Sequence, residues 1–162
     1  MTERRSLNIT AAVALLCAVS TGAPAVGHAD NSRLNDSVVA NAYAARYDAG
    51  CRSDIGIDPR LRLAAQWHAD DLLADRSLAG HVGSDGSMPQ NRADAAGFRG
   101  TVAETVAINP ALAISGLEVL RQWHSDPEAF AILSDCTNTA IGVWSANSLD
   151  RTVLVAVYGR PI

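Results

Sequence analysis

The chain has no lysine: all 13 basic residues among its 162 are arginine, set against 17 acidic residues for a formal charge of −4. A protein without a basic excess has no electrostatic footprint for a phosphate backbone, which argues against nucleic acid as a partner. The same shortage argues against charge-driven docking on anionic lipid. There is no internal repeat and no low-complexity tract. The sequence contains no G-x-S-x-G, no H-E-x-x-H and no phosphate-binding glycine loop, so the common nucleophile, zinc-peptidase and nucleotide motifs are missing. An all-arginine base set with abundant alanine suggests a GC-rich coding sequence, as in actinobacteria.

Long apolar runs are also scarce, and the one present lies at the N-terminus. Arg4 and Arg5 precede an apolar stretch that is densest over residues 11–19, and Gly27-His28-Ala29 follows. This is the layout of a cleavable secretory leader over residues 1–29, cut before Asp30. A cut after Ala25 is the alternative, disfavoured by Pro24. An uncleaved anchor is the plainer alternative, but the apolar core is short for a stable membrane span. Lipid attachment at Cys17 is disfavoured by Leu16 before it. Removing the leader leaves residues 30–162 as one domain, in which 11 arginines face 16 acids, a charge near −5.

Cysteine is sparse too, and loss of the leader reduces three to two, Cys51 and Cys136. An even count in an exported chain reads as one disulfide, with two free buried thiols as the alternative. Closing a loop of about 85 residues would stabilise the fold by about 4–5 kcal/mol in the chain-entropy model.

The remainder divides into a helical first half and a strand-rich end. Val38, Val39, Ala42, Tyr43 and Arg46 predict a helix over residues 34–47, stopped by Gly50. Asp58-Pro59 predicts a cap and first helical residue for a helix running to about Asp75. Leu61, Ala65, His68 and Leu72 fall on one face of it, so His68 reads as a packed histidine bonded to a neighbour. Residues 80–87 are a Gly/Ser/Asp loop. A short helix should follow Pro89 and end near Gly97. Residues 102–107 read as a brief extended piece. Asn109-Pro110 repeats the cap-plus-proline pattern and predicts a helix carrying Leu117, Leu120 and Trp123, ending before Pro127. Residues 140–144 and 152–158 read as strands joined by a turn over 147–150. The second is apolar on both faces, hence central in a covered sheet. The expected class is α+β, a helix–sheet–helix sandwich with a small antiparallel sheet.

Three groups carry candidate chemistry. His81 sits among small residues, accessible and able to titrate. Glu104 is the only charge between Val102 and Ile108; it must pair, cap, face a cleft, or point to solvent from an edge strand. His124 and Glu128 lie in the Trp123–Glu128 cluster at a helix end, where a histidine is also favoured by the helix dipole alone. The spacings His68–His81 and His81–His124 fit no zinc pattern, so no cofactor is expected. His81 is the one candidate should a metal bind.

The runs LRLAAQWHADDLLADRSLAGHVGSDGSMPQNRADAAGF, VAETVA, QWHSDPEAFAILSDCTNTAIGVW and RTVLVAVYG, in that order, resemble the CAP superfamily of cysteine-rich secretory, antigen 5 and pathogenesis-related proteins, including its bacterial SCP-domain members. The resemblance covers residues 34–159 and implies a three-layer α-β-α sandwich. It also implies a cleft lined by histidines and acids. By motif, His81 matches the first cleft histidine and Glu104 the cleft glutamate. Thr105 departs from the asparagine that follows in the family, and Ala129 stands where bacterial members carry the second histidine. The Cys51–Cys136 pair is similar to that of actinobacterial members. The implied function is a secreted, non-enzymatic binder of a small hydrophobic ligand or of an envelope or host component. A hydrolase using His81 and Glu104 is the alternative, and a purely structural envelope protein a third.

Overall fold

The computed structural model describes residues 31–110 and 114–162; the expected leader lies outside them. Helix α1, Ser32–Asp48, opens the domain, followed by a short strand β1, Gly56–Ile57. Asp58 caps helix α2, Pro59–Ala74, by accepting a hydrogen bond from the Arg60 backbone N–H at 2.8 Å. Pro59 occupies the first helical position, where its missing N–H costs nothing. Helix α3 (Pro89–Ala95) and strand β2 (Gly100–Asn109) follow. The chain ends with helices α4 (Gly116–Ser125) and α5 (Pro127–Leu133) and strands β3 (Ala140–Asn147) and β4 (Thr152–Pro161).

The sheet order is β1-β3-β4-β2. Strand β4 is central and buried from Thr152 to Gly159, as its two-sided apolar pattern requires. Its alternation divides the core. Leu154, Ala156 and Tyr158 pack toward α1, α4 and α5, while Val153, Val155 and Val157 pack toward α2 and α3. Helix α2 can lie close on β3 because Gly142 has no side chain: a Cβ there would stand 2.0 Å from the Arg62 backbone nitrogen. Cys51 and Cys136 are bonded, tying the end of α1 to the loop after α5.

Several expectations are corrected. The sheet is mixed rather than antiparallel, because Gly56 and Ile57 pair parallel to β3; two residues are too few to show a period. The extended piece at 102–107 is a ten-residue edge strand. No helix begins at Asn109-Pro110. Asn109 is the last rung of the β2–β4 ladder, opposite Thr152, and a residue before proline favours extended backbone. The helix starts at Gly116, with the Ser115 hydroxyl accepting from the Glu118 N–H. Beyond Pro127 the chain resumes as α5, capped by Asp126.

Candidate functional site

Strand alternation decides where Glu104 points. Val102 and Val106 pack on the α2–α3 side of the sheet, so Glu104, between them, faces the same side. Glu104 lies on an edge strand yet is only 3% exposed, which rules out the solvent-facing arrangement. Each of its neighbours comes from a different element. Arg92 on α3 brings Nη2 to 3.1 and 3.0 Å from the two carboxylate oxygens. His81, in the glycine-rich loop, places Nδ1 3.1 Å from Oε1. His68 on α2 places Nε2 3.6 Å from the same oxygen.

The network extends into the backbone. His68 Nε2 donates to the Gly80 carbonyl at 2.8 Å, so α2 fixes the loop that carries His81. Arg92 also donates to the carbonyls of His81 and Ser87, closing that loop from the α3 side. A buried carboxylate is tolerated when charge and hydrogen bonds compensate its lost hydration. The hydrogen bond to Glu104 holds the His81 imidazole above its usual value. Burial opposes the rise, the charges of Glu104 and Glu128 add to it, and Arg92 opposes it.

His81 and Glu104 lie in a cleft of about 290 Å³ between the β2 edge and α5. Its apolar wall is formed by Val106, Ile108, Ala129 and Ile132, and its rim carries Asp126 and Glu128. Asp126 is engaged in capping α5 through the N–H groups of Glu128 and Ala129. Thr105 lines the cleft from the other face of β2.

Of the residues singled out from sequence, the fold brings together His81, Glu104 and Glu128. His124 is not among the residues lining the cleft; its ring meets Phe130 edge-on, with centroids 4.7 Å apart. Sequence reasoning missed Arg92. The signal was present: a lone carboxylate in an apolar strand needs a cation, and Arg92 lies in the segment between the His81 loop and that strand.

A metal held between His81 and a second histidine does not fit these donors. Ala129 offers no ligand, and both Glu104 oxygens already face Arg92. Among the described residues no group of three His, Cys, Asp or Glu side chains could hold an ion.

The three-layer arrangement with its edge cleft is the CAP, or SCP, fold. Solved structures with this architecture include an extracellular SCP-domain protein from Bacillus anthracis (14% identity, TM-score 0.65, covering 80% of this chain and 41% of that one). A cysteine-rich secretory protein from Staphylococcus aureus matches with 14% identity and TM-score 0.60, over 82% of this chain and 40% of that one. An outer surface protein from Borrelia burgdorferi matches with 17% identity and TM-score 0.72, over 84% of this chain and 98% of its own. The chain thus spans nearly all of the Borrelia protein but about two-fifths of the other two. No family model and no curated protein matches the sequence. At these identities the likeness is one of fold.

Proposed function

We propose that the chain is an exported CAP-domain protein whose cleft binds a small hydrophobic ligand without transforming it, in the cell envelope or at a host surface. One observation carries this reading: Glu104 is buried and both of its oxygens are already engaged. A general base must reach the proton it abstracts, whereas both oxygens of this buried carboxylate face Arg92 and one also faces His81. Glu104 thereby orients His81. With Nδ1 engaged, Nε2 is the ring nitrogen left for a ligand. Nε2 donates to a ligand oxygen when the ring is protonated, a state the Glu104 hydrogen bond favours, and accepts from a ligand hydroxyl when it is neutral. Val106, Ile108, Ala129 and Ile132 supply the surface for an apolar body. At about 290 Å³ the cleft sits at the small end of ligand sites, a size suited to an acyl segment or a single ring system rather than a whole sterol.

Export is supported by the leader-like N-terminus and by the Cys51–Cys136 bond, since disulfides persist in oxidising compartments. Among the described residues no helix is long and apolar enough to cross a membrane.

The 3.1 Å His81–Glu104 contact also favours a second reading, hydrolysis of a peptide-like bond. Native mass spectrometry of the secreted protein, with solvent extraction, tests the two. Binding predicts a lipid-range adduct that His81→Ala releases, and no turnover of a peptide panel. Turnover that disappears in both His81→Ala and Glu104→Gln would replace binding with hydrolysis. No adduct, together with no saturable uptake of a fluorescent fatty acid or sterol, would overturn the binding reading.

A further inference from the structure

A second concavity, of about 540 Å³, lies on the opposite side of the His81 loop and is larger than the cleft. Helix α2 contributes Trp67 and Asp71, the loop contributes Ser84, Asp85 and Ser87, and α3 contributes Asn91. Two properties of this groove restrict what it can hold.

The first is the kind of surface. Trp67 is 41% exposed, whereas Trp123 is 2% exposed in the core. Beside the indole the lining is carboxylate, hydroxyl, amide and the Arg92 guanidinium; Ala95 is the only aliphatic residue. Its apolar part is the Trp67 indole and Ala95, with no run of aliphatic side chains to enclose an acyl chain. A polyanion would meet Asp71 and Asp85, while the nearby cation, Arg92, is buried and engaged with Glu104.

The second is rigidity. The Asp71 carboxylate accepts from the Ser84 N–H and hydroxyl, each at 2.7 Å. Asp85 accepts from the Ser87 N–H at 2.8 Å, and Asn91 from the Met88 N–H at 2.9 Å. These oxygens crowd the open face of Gly83, where a Cβ would stand 2.8 Å from Ser87 Oγ, 2.9 Å from Asp85 Oδ1 and 3.2 Å from Asp71 Oδ2. Each carboxylate keeps further lone pairs for a ligand, and acceptors fixed in advance lose little entropy on binding.

A part-exposed indole lining the same groove as fixed, hydrogen-bonding oxygens matches a molecule with one C–H face and a rim of hydroxyls. We propose that this groove is a saccharide-binding site, in which Trp67 stacks on a neutral hexose ring while Asp71, Asp85 and Asn91 take its hydroxyl and amide protons. The groove and the ligand cleft share no lining residue, but they are linked through the loop that carries His81 and through Arg92, which lines the groove and binds Glu104.

The test titrates the isotope-labelled secreted domain with chitotriose, maltotriose, cellotriose and mannotriose, and separately with tetramethylammonium. At least one sugar should shift the Trp67 indole and the Ser84, Asp85 and Ser87 amide signals saturably, with millimolar or tighter affinity that salt leaves unchanged. Trp67→Ala should weaken that affinity about tenfold, and Trp67→Phe should retain most of it. More than half of Trp67 is buried, so Trp67→Ala should lower the unfolding temperature while Trp67→Phe keeps most of the packing, and affinities are compared at a temperature where both variants are folded. No response to any of the four sugars overturns the proposal. So does sugar binding that Trp67→Ala leaves intact, or saturation by tetramethylammonium alone, which would mark a cation site.

Discussion

Among the described residues two arginines are buried, Arg46 at 2% exposure and Arg92 at 5%, and they serve different ends. Arg46, on α1, donates only to backbone carbonyls: those of Leu133 and Asp135 from Nη1 and that of Asn138 from Nη2. It binds the loop after α5 to α1, beside the Cys51–Cys136 bond, with no carboxylate in hydrogen-bond reach. Arg92 also gathers carbonyls, from His81 and Ser87, but it faces the Glu104 carboxylate and through it two histidines. Burial of charge is common to both corners. What separates them is the acceptor. Carbonyl dipoles hold a loop in place, whereas a carboxylate creates a charge balance that a neighbouring histidine and a ligand can alter.

The largest effect belongs to the Arg46 corner. Replacing both Cys51 and Cys136 by serine should cost about 4–5 kcal/mol, from reopening a loop of 85 residues, as measured by urea unfolding. Next is Arg92→Leu, which strands Glu104 without its cation and should cost about 3–5 kcal/mol. The double variant Arg92→Leu, Glu104→Leu should recover much of that loss, since replacing a whole buried pair is far milder than breaking it. Arg46→Met leaves carbonyls but no unpaired charge, and should cost about 2–3 kcal/mol. No single second substitution should rescue it. If Arg46→Met proves the costlier arginine variant, or the Arg92–Glu104 double variant is no better than Arg92→Leu, the two corners do not differ as argued.

The same contrast explains what the sequence made legible. Asp58-Pro59, the two-sided apolar run of β4 and the paired cysteines announce themselves locally, and all three are realised. His81 and Glu104 were legible because each sits oddly in its surroundings: a histidine among small residues, a charge among apolar ones. Arg92 was not. It occupies a helix position indistinguishable by type from a solvated arginine, and only packing between elements buries it. Arg46 was legible as part of the α1 pattern, but not the distant carbonyls it binds. Asn109-Pro110 misled for a related reason. The same dipeptide that starts a helix also ends a strand, and the long-range ladder to Thr152 decided between them. Helix α5 was hidden by its brevity and by the proline that both ends α4 and starts its successor.

The smallest effect is the dependence of stability on pH, and it separates the corners by sign. Near Arg46, Asp135 has its carboxyl held below the usual range, first by the Thr137 backbone N–H, then by the Thr137 hydroxyl, with Arg46 adding to the pull. Its contribution is present above about pH 3.9, the unfolded value, and is lost as pH falls through the folded one. His81 behaves oppositely. Its imidazole binds a proton more tightly in the folded state, chiefly through the Glu104 hydrogen bond. Its contribution is therefore complete below about pH 6.5 and fades as pH rises through the folded value. Asp135→Asn should flatten only part of the acid limb, because Asp58, Asp75, Asp85 and Asp150 are held down as well. His81→Gln should flatten the decline that sets in above about pH 6.5 and leave the acid limb unchanged. Midpoints of thermal unfolding across the pH range would show this. A His81→Gln variant that keeps the wild-type decline above about pH 6.5 would mean that the histidine's proton is not held by the buried carboxylate, and the site corner would reduce to another structural clamp.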